Sequence, residues 1–199
     1  MAKRTSSGPE VLLGLLTIES MSGYDLGQLI HDSIHHFWNE SYGQIYPNLK
    51  QLAASGFITG KKEKQQGKPD RQIYSITAKG RERLAAWLQI EPQPEVPRNE
   101  LLLKMFFGSK ASPATIRGYV DQMVERESAA LQIFSAIGKQ IVSQPQYPDT
   151  PYWQMVLRFG QLEVESHLRW AQESLAALRK LEQKRPAPPF RKEKPHATK

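Results

Sequence analysis

The chain has 199 residues, of which 39% are hydrophobic and 24% charged, with a net charge of +7; that suffices for one large or two small cores. No apolar run approaches the ~20 residues that span a bilayer, and the opening MAKRTSSGPE has no apolar stretch behind its cations, so neither a membrane span nor a signal peptide is expected. Cysteine is absent, which excludes disulfide, thiolate and cysteine–zinc chemistry and suits a reduced, cytoplasmic setting.

Pro9 and Glu10 suit the first turn of a helix that VLLGLLTI carries to near Ser20. Ser22, with Asp25 three residues on, makes a capping-box start for a second helix, expected to bury Leu26, Leu29, Ile30, Ile34 and Phe37. Trp38-Asn39-Glu40 then turns the chain into SYGQIYPNLKQLAASG, residues 41–56. Here Ser41 and Gln44 form a second capping box, Ile45, Leu49 and Leu52 recur as one buried face, and Gly56 marks a left-handed ending. Proline breaks a helix interior, so regular helix is expected from about Gly43, with Pro47 in its first turn. The outward face offers Tyr42, Gln44, Asn48, Lys50 and Gln51 without a carboxylate. A helix that reads base edges beside a polyanionic backbone wants that composition, although an ordinary amphipathic helix also fits it.

After Gly56 the period changes. FITGKKEK and RQIYSIT read as strands joined by the turn residues of QQGKPD. Residues 50–83 hold nine Lys/Arg against three Asp/Glu, so the hairpin is basic. Thr77 caps a fourth helix, AKGRERLAAWLQI, expected to bury Leu84, Trp87 and Leu88, and EPQPEVP ends it as a linker. A basic β-hairpin following a helix-turn-helix is the order of a winged helix.

The second half is helical. ELLLKMFFG is a short apolar helix, and Ser112-Pro113 opens a long one with apolar positions at Ile116, Val120, Met123, Ala130, Phe134, Ile137 and Ile141, interrupted by Glu127. Thr150-Pro151 starts the last helix. One of its stripes runs Trp153, Leu157, Val164, Leu168, Ala171, Leu175 and Leu178, and another Tyr152, Phe159, Leu162 and Trp170. A hairpin of two helices cannot cover both stripes, which points to a partner surface. The predicted architecture is mainly α with a small β-hairpin: a winged helix over 1–90, a proline-rich linker over 91–99, an antiparallel long-helix dimerisation and effector domain over 100–185, and a basic tail over 186–199 expected to be disordered.

Taken together, VLLGLL, the Ser-Gly-Tyr-Asp-Leu turn at 22–26, Ser-Tyr-Gly-Gln-Ile-Tyr-Pro-Asn-Leu-Lys-Gln-Leu at 41–52, Gly-Phe-Ile at 56–58 and Tyr-Ser-Ile-Thr-Ala-Lys-Gly at 74–80 resemble the N-terminal domain of PadR-family transcriptional regulators. The helical half, opening with Leu102-Leu103-Lys104-Met105-Phe106-Phe107, is similar to the longer branch of that family. The resemblance implies a homodimeric DNA-binding regulator, typically a repressor, often released by a small molecule.

In a winged helix the second helix of the motif enters the major groove. Gln44 and Asn48 are then the base readers, because a carboxamide can bond adenine at two atoms, and Ser41, Tyr42, Tyr46 and Lys50 hold phosphate or sugar. Tyr24 and Tyr46 each have two readings, a backbone contact or an aromatic brace between helices. Lys68 and Arg71 are expected at minor groove or phosphate. Tyr152, Trp153, Phe159 and Trp170 either line an effector cavity, for which phenolic and polycyclic compounds are the natural ligands, or are packing. The expected partners are thus double-stranded DNA with a palindromic operator, a second copy through the C-terminal helices, and a small effector; no membrane and no cofactor is implied. His31 and His35 stand at i, i+4 but lack the glutamate of H-E-x-x-H, so no metal site is expected. No phosphate loop, nucleophile elbow or kinase motif occurs, so no catalytic residue is assigned. The alternative to a DNA-binding regulator is a winged-helix protein-docking module.

Overall fold

The computed structural model describes residues 7–38, 42–64, 70–94 and 98–183. The chain divides into two compact units, 1–95 and 96–199. The first contains α1 (Gly8–Ile18), β1 (Met21–Ser22), α2 (Gly23–Ser33), α3 (Tyr42–Ala54), β2 (Ile58–Glu63), β3 (Arg71–Ile76) and α4 (Ala78–Leu88). The second contains α5 (Glu100–Phe106), a short 3-10 turn at Gly108–Lys110, α6 (Pro113–Val142) and α7 (Thr150–Gln183).

Aliphatic side chains from every helix of the motif meet in the first core. Leu12, Leu13 and Leu16 of α1 pack with Leu26 and Ile30 of α2, Ile45, Leu49 and Leu52 of α3, and Ile58 of β2. The predicted face of α3 is as buried as a side chain can be, at 1%, 0% and 1% exposure for Ile45, Leu49 and Leu52. At the start of α2 the capping box forms as expected: the Asp25 amide donates to Ser22 Oγ, and the Ser22 amide donates to Asp25 Oδ2.

The end of α3 is built with care for its carbonyls. Gly56 has φ +73°, the left-handed geometry that glycine adopts without steric cost. The Gly56 amide donates to Ala53 O at 3.0 Å and the Phe57 amide to Leu52 O at 2.9 Å, the paired bonds of a Schellman ending. The next carbonyls are collected by the first turn of α4. Thr77 Oγ1 donates to Gly56 O and Phe57 O, the Thr77 amide to Phe57 O, and Lys79 Nζ to Ser55 O. Thr77 also caps α4 by accepting from the Gly80 amide.

Several expectations need correction. Pro47 lies in the interior of α3, not in its first turn, because the helix already begins at Tyr42. Pro47 and Gly43 are both exposed, so the carbonyl deprived of its amide faces water, and the buried triad holds the helix together. α2 stops at Ser33, whose hydroxyl donates back to Leu29 O. Phe37 therefore falls in the turn beyond and is exposed, while Ile34 is half-buried. On α4, Leu84 packs against the core but Trp87 and Leu88 are exposed. The hairpin gains a third strand: β1 pairs with β3 (Met21↔Tyr74, Ser22↔Ile73), giving the antiparallel order β1-β3-β2. The capping box of Ser41, the turn 65–69 and the tail from 184 lie outside the described residues.

In the second unit Ser112 caps α6 through the Thr115 amide with Pro113 in the first turn, as predicted. The α6–α7 hairpin buries Ile116, Val120, Met123 and Phe134 against Val164, Ala171 and Leu178. Of the remaining predicted stripe residues, Ala130, Ile137, Ile141, Trp153, Leu157, Leu168 and Leu175 are half-buried.

A glycine tests this corner. A Cβ on Gly80 would sit 2.2 Å from Phe57 O and 2.8 Å from Ile76 Cγ1, whereas one on Gly14 would meet nothing within 4 Å. Gly80→Ala should therefore lose stability by roughly 2–3 kcal/mol in urea unfolding, and Gly14→Ala, inside α1, should gain up to about 1 kcal/mol.

Candidate nucleic-acid interface

With the Ile45–Leu49–Leu52 face buried, α3 must present its opposite face to solvent. Gln44, Lys50 and Gln51 are exposed and Asn48 is half-buried. No acidic residue stands in α3, so nothing on this face repels phosphate. Gln44 and Asn48 are one helical turn apart, with two carboxamides on one side of the helix. β2, which packs against α3, exposes Lys61 and Lys62 together with Glu63, and Lys64 follows it, also exposed. Ser41, Lys68 and the side chain of Tyr42 fall outside the described residues.

The two ambiguous tyrosines separate. Tyr24 is 65% exposed at the start of α2, where a hydroxyl can reach a partner. The ring of Tyr46, although 57% exposed, is pressed against Gly23, where a Cβ would come within 2.7 Å of Tyr46 Cε1. Tyr46 also acts on Tyr74 of β3, whose phenol is pushed above its usual value by burial first and by Tyr46 second. Tyr46 thus braces α3 against α2 with its outer edge in solvent. Arg71 is half-buried at the start of β3, and its guanidinium pairs with Asp25 within the protein.

Behind the motif, α1 and α4 are tied together. Arg83 donates to Glu10 Oε1 through Nε at 3.0 Å and Nη2 at 2.6 Å, and both Arg83 and Lys79 lie 4.8 Å from the centroid of the Phe57 ring.

The aromatic quartet of α7 is not brought together. Trp153 stands 5.7 Å from the Tyr147 ring, Tyr152 and Phe159 are exposed, and Trp170 packs on the Ile116–Val120–Ala171–Leu178 cluster. From Trp153 to Trp170 the helix rises by roughly 25 Å. Two hollows in this unit involve other residues. One of about 600 Å³ lies between α6 and α7, over Phe134, Gly138 and Leu157 with Lys139, Gln154 and Gln161 at its rim. Another of about 380 Å³ lies between α5 and α6, walled by Leu103, Phe107, Ile116 and Tyr119 beside Lys104. Periodicity gave no sign of either, because each forms between helices rather than along one. Lys104 is held by Glu100 at 2.9 Å and stands 5.1 Å from the Tyr119 ring centroid.

The histidines form a stack, not a ligand set. The rings of His31 and His35 are parallel with centroids 5.0 Å apart, His35 and His36 are 3.7 Å apart, and His31 Nδ1 pairs with Asp32. Among the described residues no group of three His, Asp or Glu could hold a metal, and no helix is long and apolar enough to cross a membrane.

The sequence matches the Transcriptional regulator PadR-like family over residues 12–86 and the Virulence activator alpha C-term family over 97–179. The negative transcriptional regulator PadR of Bacillus subtilis (strain 168) is 29% identical over 175 residues, 85% of this chain and 96% of that protein. Among solved structures, Bacillus subtilis PadR in complex with operator DNA shares 26% identity at a TM-score of 0.77, over 88% of this chain and 99% of that one. The same protein in complex with p-coumaric acid shares 25% at 0.69, over 89% and 99%.

The histidine stack carries a pH signature. Burial first, then the charges of His35 and His31, hold the His36 imidazole below its ordinary value. The unfolded chain therefore takes up the proton more readily. The stability that neutral His36 contributes is present above about pH 6.5 and is lost as pH falls through its depressed folded-state value. Urea unfolding at pH 7.5 and 5.5 should show the protein weaker at the lower pH, and His36→Asn should reduce that difference.

Proposed function

The chain belongs to the PadR-like family of transcriptional regulators, and we propose that it is a cytoplasmic, dimeric DNA-binding repressor released by a small aromatic effector. The observation that carries the reading is the face of α3, with two carboxamides and a lysine exposed, no carboxylate, and a lysine-bearing strand beside it. In the major groove Gln44 and Asn48 read bases, Lys50, Ser41 and Tyr42 hold the backbone, Tyr24 reaches phosphate from the start of α2, and Lys68 follows the groove from the wing. Tyr46 contributes at most its outer edge. No catalysis is assigned to the chain. A protein-docking module would have no use for a carboxylate-free helix next to a basic strand.

The outer stripe of α7 is the surface that supports pairing with a second copy. Tyr152, Met155, Val156, Phe159 and Leu162 are all exposed on that helix, an apolar face that a two-fold partner would cover with its own. The effector reading draws on the relative whose structure holds p-coumaric acid. Tyr152, Trp153, Phe159 and Trp170 remain the aromatic residues proposed for it, shared between protomers because one protomer does not gather them.

DNA selected from a random pool by the full chain should contain a palindrome with half-sites about one helical turn, ~34 Å, apart. On that operator Gln44→Ala and Asn48→Ala should each cost about 1–3 kcal/mol while barely changing affinity for random duplex. Lys50→Ala should weaken both and lower the salt slope by about one. A protein-docking module would show no steep loss of duplex binding as salt rises.

The dimer is tested separately. Phe159→Glu places a charge in the centre of the outer stripe, and sedimentation should show a monomer that retains its helical content. A variant that still sediments as a dimer would put the interface elsewhere.

A further inference from the structure

Arg71 opens β3 opposite Glu63, at the turn end of the β2–β3 ladder, where a cation could reach DNA phosphate. The fold turns it inward. Its Nη2 meets Asp25 Oδ2, and its Nε is out of reach of solvent. The same carboxylate oxygen accepts from the Ser22 hydroxyl at 2.8 Å and from the Ser22 amide at 3.1 Å. Ser22 in turn caps α2 and is the strand partner of Ile73. A single carboxylate thus joins the returning strand of the wing to the first turn of α2. On the other flank, Gly23 lies against Tyr46 and Leu49 too closely to admit a Cβ, which couples that turn to α3.

We infer that Arg71 is a positioning residue. Held by Asp25, it sets how β3 lies against the helix-turn-helix, and hence where the wing lysines fall when α3 is in the groove. The inference rests on the DNA-binding reading above. A two-stranded ribbon has little rigidity of its own, and β1 adds only two residues of pairing, so the lie of the wing depends on a tether that holds the turn end of the ladder to the helices. A half-exposed ion pair contributes little to stability. Its loss acts on the geometry of the free protein more than on whether the chain folds. This reading also separates Arg71 from Lys50 and Lys68: a cation already paired inside the protein releases no DNA counterion on binding.

The test uses the full chain carrying Arg71→Ala, Asp25→Asn, both together, and Arg71→Lys, with binding to the selected operator measured across a salt series. Amide exchange in the β1–β3 pairing is followed in the free proteins. Each single variant should lose operator affinity by about three- to tenfold, and the double variant should lose no more than either. The salt slope of Arg71→Ala should match wild type, Arg71→Lys should recover part of the loss, and the β1–β3 amides should exchange faster in the absence of DNA. If instead Arg71→Ala lowers the slope by about one while Asp25→Asn binds normally, Arg71 is a phosphate contact and the inference fails. Additive losses in the double variant overturn it too. Should wild type bind no duplex at all, the DNA reading fails by itself, and unchanged exchange in Arg71→Ala would separately dispose of the tether.

Discussion

The rotational setting of α3 follows from one packing event. Ile45, Leu49 and Leu52 enter the core between α1 and α2 with almost no residual exposure, each contributing on the order of 1.5–3 kcal/mol by burial. Shifting the helix by one residue turns it by about 100° and drives Lys50 or Gln44 toward Leu12 and Leu13. A polar group left unpaired there costs roughly 1–3 kcal/mol, on top of the aliphatic burial lost. The core therefore selects one orientation, and the carboxamide face is what remains outside. The residues proposed to recognise DNA need no contacts of their own to be aimed.

The same economy governs the end of the helix. Gly56 permits the left-handed step, Phe57 returns its amide to Leu52, and Thr77 and Lys79 take the carbonyls that follow. α4 can reach them only because Gly80 has no side chain to strike Phe57 O. Phe57 is then covered by the cations of Lys79 and Arg83, and Arg83 continues to Glu10 on α1. The exit of α3, the start of β2 and the first turn of α4 form one hydrogen-bonded corner. The ribbon leaves that corner on β2 and returns to it on β3, while at its turn end Arg71, opposite Glu63, is held by Asp25. The β2–β3 ladder is thus fixed at both of its ends, a preorganised arrangement that costs little ordering entropy on binding.

What the sequence made legible were features whose cause is local. Ser22 with Asp25, Thr77 before α4 and Ser112 before Pro113 are chemistry within one turn, and each forms as read. The buried triad of α3 was legible because three aliphatics at helical spacing leave no other inward face. What escaped depends on neighbours that a one-dimensional pattern lacks. Phe37, Trp87 and Leu88 continue an apolar period past the point where a neighbouring element lies against it, and end exposed. Pro47 obeys a rule about isolated helices that tertiary packing overrides. β1 is too short to show any alternation. Arg71 counted as one more wing cation because composition records charges and not their partners. Whether the α7 quartet meets across a pair of chains is likewise a matter of neighbours, since its members are spread along one helix.

The second unit explains why such a protein should work in pairs. Phe134 approaches α7 where Gly160 leaves room, and Gly138 faces Leu157 in the reverse sense, so the two helices close tightly along one seam. Glu127, the polar break in that seam, is met by His167 Nδ1 at 3.3 Å, and the Arg117–Glu182 pair at 3.0 Å ties the far end. These contacts are used up on the inner face. The outer face of α7 keeps Tyr152, Met155, Val156, Phe159 and Leu162 in water, at spacings of three and four that repeat the inner pattern on the other side. A hairpin has one inside, so a helix with two apolar stripes needs a second neighbour, and a copy related by a two-fold axis supplies one with the same stripe. In the proposed dimer this 34-residue helix would be covered on both sides. For the proposed dimer, a ligand that binds one arrangement of the pair more tightly than another shifts the population toward it, and with it the affinity for an operator of fixed half-site separation.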